Sequence, residues 1–379
     1  MKIVYVCDAI ARIGGVERIL VDKMNYLAEV YGYEIYLITA AQGLHPFSFP
    51  LSPLVKHTDI DVRLHTQYQY KYPKRLWMKW KLKRLYNKRL KEIIEKTNPD
   101  ILISTINYLP VELCRLKCRA KKVIESHGAR EFAYLTDSLQ TNFLNLIKKL
   151  YTNKSFSYIE KNSDAVITLT QSDAQAWLKA TKAYAIPNIT NFVSSQSSSC
   201  ETKRAIAVGR LTYQKGFDRL IDAWKMVNKT HPDWKLDIFG EGIYQQDLKD
   251  RIQENKLKGI INIHPFTTQV VNEYTNSSIF VLSSNYEGFG LVLIEAMSCG
   301  IPCVSFDCPH GPSEIIRDKE DGLLVKNGDI KGFADAICYL IEHEEERKAF
   351  GKKAKENVKR YSPENVMPQW EKLFEELIK

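Results

Sequence analysis

Residues Asn285 to Gly300 read NYEGFGLVLIEAMSCG, set between the apolar runs IFVL (279–282) and IPCVSF (301–306). Short apolar runs bounded by Gly and Pro predict buried strands, so strand, turn, helix and strand follow one another here. The turn holds Glu287, Gly288 and Gly290, and the helix is expected to start near Leu291 and to stop at Gly300, a suitable C-cap. Such a turn offers unbonded backbone N–H groups and the positive end of a helix dipole, which together suit a phosphate. Glu287 in the turn and Glu295 inside the helix stand among residues expected to be buried, where an unpaired carboxylate is costly. A polyhydroxylated ligand that donates hydrogen bonds would satisfy both.

Outward from this stretch the same strand, glycine turn and helix recur. Ile3–Cys7 leads through Gly14-Gly15-Val16-Glu17-Arg18 into a helix with Ile19, Leu20, Met24 and Leu27 on one face. Arg204–Val208 leads through Gly209-Arg210-Leu211 and Lys215-Gly216-Phe217 into a helix from Asp218. Lys235–Phe239 leads into Gly240-Glu241-Gly242. Val123-Ile124-Glu125-Ser126-His127 places a histidine at the C-terminal end of a strand, where open α/β sheets take their ligands. The chain is therefore expected to be α/β, with two consecutive Rossmann-like units and ligand-type loops at strand ends in both.

The run E-G-F-G-x-x-x-x-E from Glu287 to Glu295 resembles the E-x7-E signature of family-four retaining glycosyltransferases of the GT-B fold, and further motifs match in order along nearly the whole chain. The resemblance implies two Rossmann-like domains facing across a cleft and transfer of a sugar from a nucleotide donor, UDP above all, to an acceptor hydroxyl with retained anomeric configuration. By resemblance, Glu287 contacts the donor sugar and Glu295 the ribose. G-R-L-x-x-x-K-G-F resembles the family's phosphate clamp, so Arg210 and Lys215 are expected to hold the donor diphosphate, helped by the amides of Phe289, Gly290 and Leu291. Gly14 and Gly15 match the first glycine loop, Gly242 the G-x-G loop, and His127 the histidine beside the donor sugar. Here that motif is S-H-G rather than the commoner S-H-N or S-H-D. No metal or other cofactor is expected, because the two cations neutralise the leaving diphosphate. Asp59-Ile60-Asp61 has the D-x-D form of a metal site but precedes a strand of the first half.

Composition agrees with a water-soluble enzyme of more than one domain. The chain has 379 residues, 44% hydrophobic and 26% charged. Its eight cysteines lack paired metal-ligand spacing, and Cys7 and Cys303 fall within apolar strands as buried thiols. The N-terminal residues form a strand rather than a signal peptide, and no apolar run approaches the ~20 residues that span a bilayer. A cytoplasmic enzyme, peripheral on the inner membrane face, is the expectation.

That peripheral reading comes from Lys71 to Lys91, which holds ten Lys and Arg and no acid. Ten local charges exceed the chain's whole net of +9, so the excess sits in one place. On a helix, Met78, Leu82, Leu85, Tyr86 and Ile93 make one apolar stripe, leaving Trp77 and Trp80 among Lys79, Lys81, Lys83 and Arg84. Tryptophan interleaved with cations suits an anionic membrane surface and a lipid-linked acceptor. A solvated helix face is the plainer alternative, and no nucleic-acid-binding motif accompanies the run.

The serine run 194–199 is expected to link an acceptor-side domain, 1–190, to a nucleotide-sugar domain, 191–361. Residues 362–379 are expected to form a helix returning to the first domain. Strands are expected at Glu34–Thr39, Val62–His65, Ile101–Ser104 and Asp164–Leu169, the last taken as closing the first half, and Asp321–Val325 as a hairpin-like segment. The two units share no sequence repeat. Two other functions fit such a chain: a sugar-nucleotide epimerase of the same fold, and a non-catalytic saccharide-binding relative. The partners expected are a nucleotide sugar and a saccharide or lipid-linked acceptor, not nucleic acid.

Overall fold

The computed structural model describes residues 1–11, 13–133, 143–177, 182–191 and 195–379, with 143–146 as backbone only. Two compact units emerge. One gathers Met1–Glu131, Leu146–Ile189 and Val366–Lys379; the other is built on Thr190–Asn365.

The first unit holds a seven-stranded sheet in the order β3-β2-β1-β4-β5-β6-β7. Its strands are β1 Lys2–Cys7, β2 Glu34–Thr39, β3 Lys56–Asp59, β4 Ile101–Thr105, β5 Lys121–Glu125, β6 Ala165–Thr168 and β7 Lys182–Ala185. Every pairing is parallel. Side chains alternate across the sheet: Ile3, Tyr5, Ile101, Ile103 and Val123 enter one core layer, while Val4, Val6, Leu102 and Ile124 enter the other. Helix Gly15–Glu29 covers the first layer with Leu20, Met24 and Leu27. The C-terminal helix Pro363–Ile378 joins that layer through Val366, Met367, Trp370, Leu373, Phe374 and Leu377, a helical stripe of core residues.

The second unit holds six parallel strands in the order β10-β9-β8-β11-β12-β13. These are β8 Arg204–Val208, β9 Lys235–Phe239, β10 Ile261–His264, β11 Ile279–Leu282, β12 Cys303–Asp307 and β13 Gly322–Lys326. In each unit the chain winds outward one way from a central strand and then restarts beside it. The restart falls between β1 and β4 in the first unit and between β8 and β11 in the second. Loops at the carboxyl ends of such a strand pair diverge and leave a crevice, the usual ligand position in open α/β sheets.

Three expectations about strands need correction. Residues 62–65 are not a strand: β3 lies earlier, at Lys56–Asp59, and a short 3-10 turn, Leu64–Gln69, follows. β3 reads KHTD and has no apolar pattern, because it is an edge strand held by polar contacts. Lys56 donates to Glu34 at 2.6 Å, and Thr39 meets His57 at 2.8 Å and Asp59 at 3.0 Å. β6 does not close the first sheet, since the half-exposed β7 adds to it. Residues 322–326 are no hairpin; they pair in parallel with β12 as the far edge.

Ser194 lies outside the described residues. The rest of the serine run is fastened to the second unit. Ser198 N donates to Cys299 O at 2.8 Å and its hydroxyl to Ser277 O at 2.5 Å, while Lys355 reaches Ser197 at 2.6 Å. Its hydroxyls bond the carbonyls and ammonium of their own unit.

Candidate active site

β8 and β11 are neighbours in the sheet, so the loops that follow them meet although they are far apart in sequence. Hydrogen bonds knit the two loops together. Asn285 N donates to Gln214 O at 2.8 Å, its side chain to Tyr213 O at 2.6 Å, and the Ser283 hydroxyl to Lys215 O at 2.9 Å. Gly216 ends the 3-10 turn Tyr213–Lys215 with φ 57°, and a Cβ there would fall 2.3 Å from Ser283 O, so only glycine lets the loops approach this closely. Arg219, in the first turn of helix Phe217–Thr230, donates to Ser283 O at 2.6 Å and Ser284 O at 2.7 Å and so holds the second loop.

This meeting brings Lys215 and Glu287 together. Lys215 Nζ donates to Glu287 Oε1 at 2.7 Å, and the same oxygen accepts from Ser284 Oγ at 2.5 Å. The two side chains are 13% and 6% exposed, so the pair is shielded yet open on one side. Gly209 makes room for the lysine stem: a Cβ there would meet Lys215 Cε at 3.0 Å. Arg210 stands exposed above, only weakly tied to Gln214 at 3.5 Å. A loosely held guanidinium costs little to reorient onto a ligand.

Helix Leu291–Ser298 starts where expected, with Gly290 as N-cap at φ 101°. Its first amides have no partner within the helix, and its dipole points out of the turn. Phe289 is buried, with its ring edge-on to Tyr361 at 5.6 Å, so its side chain serves packing. Glu295 lies one turn on, partly buried, and accepts from Tyr274 Oη at 3.1 Å. Burial and the Glu295 charge raise the Tyr274 hydroxyl well above its ordinary pKa, so it remains a donor. Gly242 sits against the β8 loop, where a Cβ would fall 2.3 Å from Leu211 O. Its place is the joint between two loops.

In the first unit, Gly14 caps helix Gly15–Glu29, and a Cβ at Gly14 would strike the Glu17 carboxylate at 2.3 Å. His127 follows β5 with its side chain 3% exposed, and its Nε2 lies 3.0 Å from Glu125 Oε2. An ionised carboxylate only accepts, so Nε2 carries the proton and Nδ1 faces outward from the pair. Nδ1 is buried with no hydrogen-bond partner among the described residues. Glu125 Oε2 also takes Lys23 Nζ at 2.5 Å, in a pair 3% and 2% exposed, with the ammonium 3.9 Å over the Trp370 ring. Burial drives the Glu125 carboxyl up, but Lys23 and His127 together outweigh it and hold it at about 2. Lys23 has one carboxylate against complete burial and stays below its ordinary value. The Glu125 carboxyl is ionised at neutral pH.

Of the basic residues singled out in helix Lys74–Thr97, Lys79, Lys81 and Arg84 are exposed. Lys83 differs from them: its ammonium lies 2.5 Å from the buried Glu112 and belongs to the fold. Sequence reasoning missed Ser284, Arg219, Tyr274 and the Lys23–Glu125 pair. A signal for the pair existed, since Lys23 lies on the apolar face between Leu20 and Leu27. Among the described residues, no cluster of His, Cys, Asp and Glu could hold a metal ion.

Residues 190–357, most of the second unit, match the family described as Glycosyl transferases group 1. The chain is 27% identical to an uncharacterized glycosyltransferase of Haemophilus influenzae, over 97% of this chain and 98% of that one. It is 29% identical to the amylovoran biosynthesis glycosyltransferase AmsD of Erwinia amylovora, with the same coverage. Among solved structures it is similar to S. aureus TarM, crystallised in a mutant form with fondaparinux, alpha-GlcNAc-glycerol and UDP. That likeness has a TM-score of 0.75 at 17% identity and covers 98% of this chain and 99% of that one. The fold is GT-B, and the likenesses support glycosyltransferase activity.

Proposed function

We propose that this chain is a retaining glycosyltransferase that moves a hexose-type sugar from a nucleotide donor, UDP-linked, to an acceptor hydroxyl in the synthesis of a cell-surface polysaccharide or lipid-linked oligosaccharide. The observation that carries it is the Lys215–Glu287–Ser284 cluster at the β8/β11 crevice, with Arg210 exposed in the β8 loop and a glycine-capped helix start in the same turn as Glu287. The Erwinia relative's role in amylovoran synthesis and the UDP and saccharides bound by TarM support the substrate classes.

In this reading Lys215 and Arg210 take the diphosphate, one as a point charge and the other through its planar fork. The amides of Gly290 and Leu291 add donors at the helix start. Glu295 accepts the ribose hydroxyls while Tyr274 fixes its other oxygen. Glu287, oriented by Ser284, accepts sugar hydroxyls. The C1–O bond to the diphosphate breaks and negative charge grows on the leaving oxygen, where cations stabilise the transition state most. The acceptor oxygen attacks C1 from the same face. Its proton passes to the departing phosphate oxygen, so configuration is retained and no protein nucleophile is required. These two cations supply the charge compensation, and the reaction is metal-independent. The protein works at the cytoplasmic face of the membrane.

The test is mass spectrometry of turnover with a panel of nucleotide sugars and saccharide acceptors, followed by NMR of the new anomeric centre. The expected product is one sugar transferred with its configuration kept. An inverted product overturns the mechanism. Free epimerised nucleotide sugar without acceptor replaces transfer by epimerisation, and no turnover of any donor leaves a binding protein.

A further inference from the structure

We propose that the exposed face of helix Lys74–Thr97 is a docking surface for anionic lipid bilayers. The helix buries only Tyr86, Leu90, Ile94 and Thr97, all in its second half. Its first three turns bury none, and large apolar groups stand in water there: Leu76 is 53% exposed, Trp77 53% and Trp80 57%. Tyr68 and Tyr72, just before the helix, are 66% and 68% exposed. Exposed aromatic side chains gathered this closely call for a partner.

The arrangement identifies the partner's chemistry. Leu76, Trp80, Arg84 and Lys88 follow at four-residue steps and form one row along the helix, with Trp77 and Lys81 in the row beside it. Leu82, Leu85 and Ile93 face the core from the other side. Lys81 leans over the Trp77 ring at 5.3 Å and Arg84 over the Trp80 ring at 5.4 Å. Lys71, Lys74, Lys79, Lys81 and Arg84 have no carboxylate partner among the described residues. Lys83 is held by Glu112 and Arg89 by the carbonyls of Ile60 and Asp61.

Indoles at headgroup depth, a leucine below them and cations that reach lipid phosphates match an interfacial helix. A nucleic acid fits less well, since no nucleic-acid-binding motif accompanies the run. The inference does not depend on the sugar-transfer reading, since docking needs neither donor nor acceptor. Its consequence for an enzyme of that kind is a site held where a lipid-linked substrate diffuses in two dimensions.

Co-sedimentation of the full chain with vesicles tests it, comparing pure phosphatidylcholine with phosphatidylcholine containing phosphatidylglycerol. The wild type is expected to pellet with anionic vesicles at low salt and to be released near 1 M salt, where the Debye length is ~3 Å. Each surface cation is worth roughly a fivefold gain in partitioning, so K79Q/K81Q/R84Q should lose about a hundredfold. W77A/W80A should bind more weakly with an unchanged salt dependence. Both variants change exposed positions, and circular dichroism melting verifies that they fold. K83Q, altering a cation committed to Glu112, should bind as the wild type does. A wild type that stays in the supernatant at low salt overturns the proposal. So does equal binding to uncharged vesicles, or binding to a duplex oligonucleotide in preference to anionic vesicles.

Discussion

Each unit of this protein places a lysine against a glutamate at a strand's carboxyl end, and the two pairs differ in what surrounds them. Lys23–Glu125 is closed on all sides, with side chains 2% and 3% exposed, an indole over the ammonium and His127 on the carboxylate. Lys215–Glu287 is 13% and 6% exposed and backed by a serine hydroxyl and a glycine that leaves space. A closed pair cannot trade partners without stranding a charge in a dry interior. A half-open pair can give up one contact to an incoming phosphate or sugar hydroxyl. The first therefore holds His127 in place, and in the proposed function the second exchanges its contacts for ligand.

Substitutions should separate the two behaviours. Lys23→Ala strands Glu125, and breaking a buried pair costs about 3–5 kcal/mol, so urea unfolding should show the largest stability loss of any change considered. Lys23→Met combined with Glu125→Leu should recover much of it. A single variant as stable as the wild type would end the contrast. Lys215→Ala should cost less stability than Lys23→Ala, because Glu287 keeps the Ser284 hydroxyl, and should reduce transfer roughly a hundredfold or more, with Arg210→Ala following the same pattern in transfer. Near wild-type turnover in both variants would remove the diphosphate assignment.

A finer division lies inside the second unit. Glu295→Ala is expected to weaken binding of free UDP in calorimetry, whereas Glu287→Gln should lower turnover with UDP affinity nearly kept. The reverse pattern would exchange their roles. In acid the pairs should differ again. Glu125 has a folded pKa of about 2, below the ordinary carboxylate range. Its contribution is thus complete above that range and is lost as pH falls through it toward about 2. Glu125→Gln should flatten this acid limb of a stability-versus-pH curve, while an unaltered limb would place its origin elsewhere. The smallest effect belongs to chelation: EDTA should leave transfer unchanged, and a loss restored by a divalent cation would give the diphosphate a metal.

The pairs also mark how far the residues alone could be read. The turn that holds Glu287 and Gly290 and the helix that carries Glu295 were legible because they lie within one short stretch, and the helix does start at Leu291. Buried strands such as Ile101–Thr105 and Ile279–Leu282 were legible because parallel strands covered on both faces become continuous apolar runs. β3 was not, since an edge strand written KHTD is stabilised by neighbours that its own residues do not announce. Neither was the anchoring of the serine run, whose composition suggests a tether, whereas Ser198 bonds the Ser277 carbonyl and Ser197 the Lys355 ammonium of the second unit.

By itself, then, the sequence determined the α/β class, the strand-end loops and the charges they carry, because these follow from local periodicity and from residues a few positions apart. Only the tertiary structure decided which charges meet. Lys215 and Glu287 are 72 residues apart, and they touch because β8 and β11 became neighbours in the sheet. The same holds for burial: Lys23 is sealed by a tryptophan of the C-terminal helix, while Trp77 and Trp80 are left in water. Contact and solvent exposure belong to the packed chain, and no residue carries them alone.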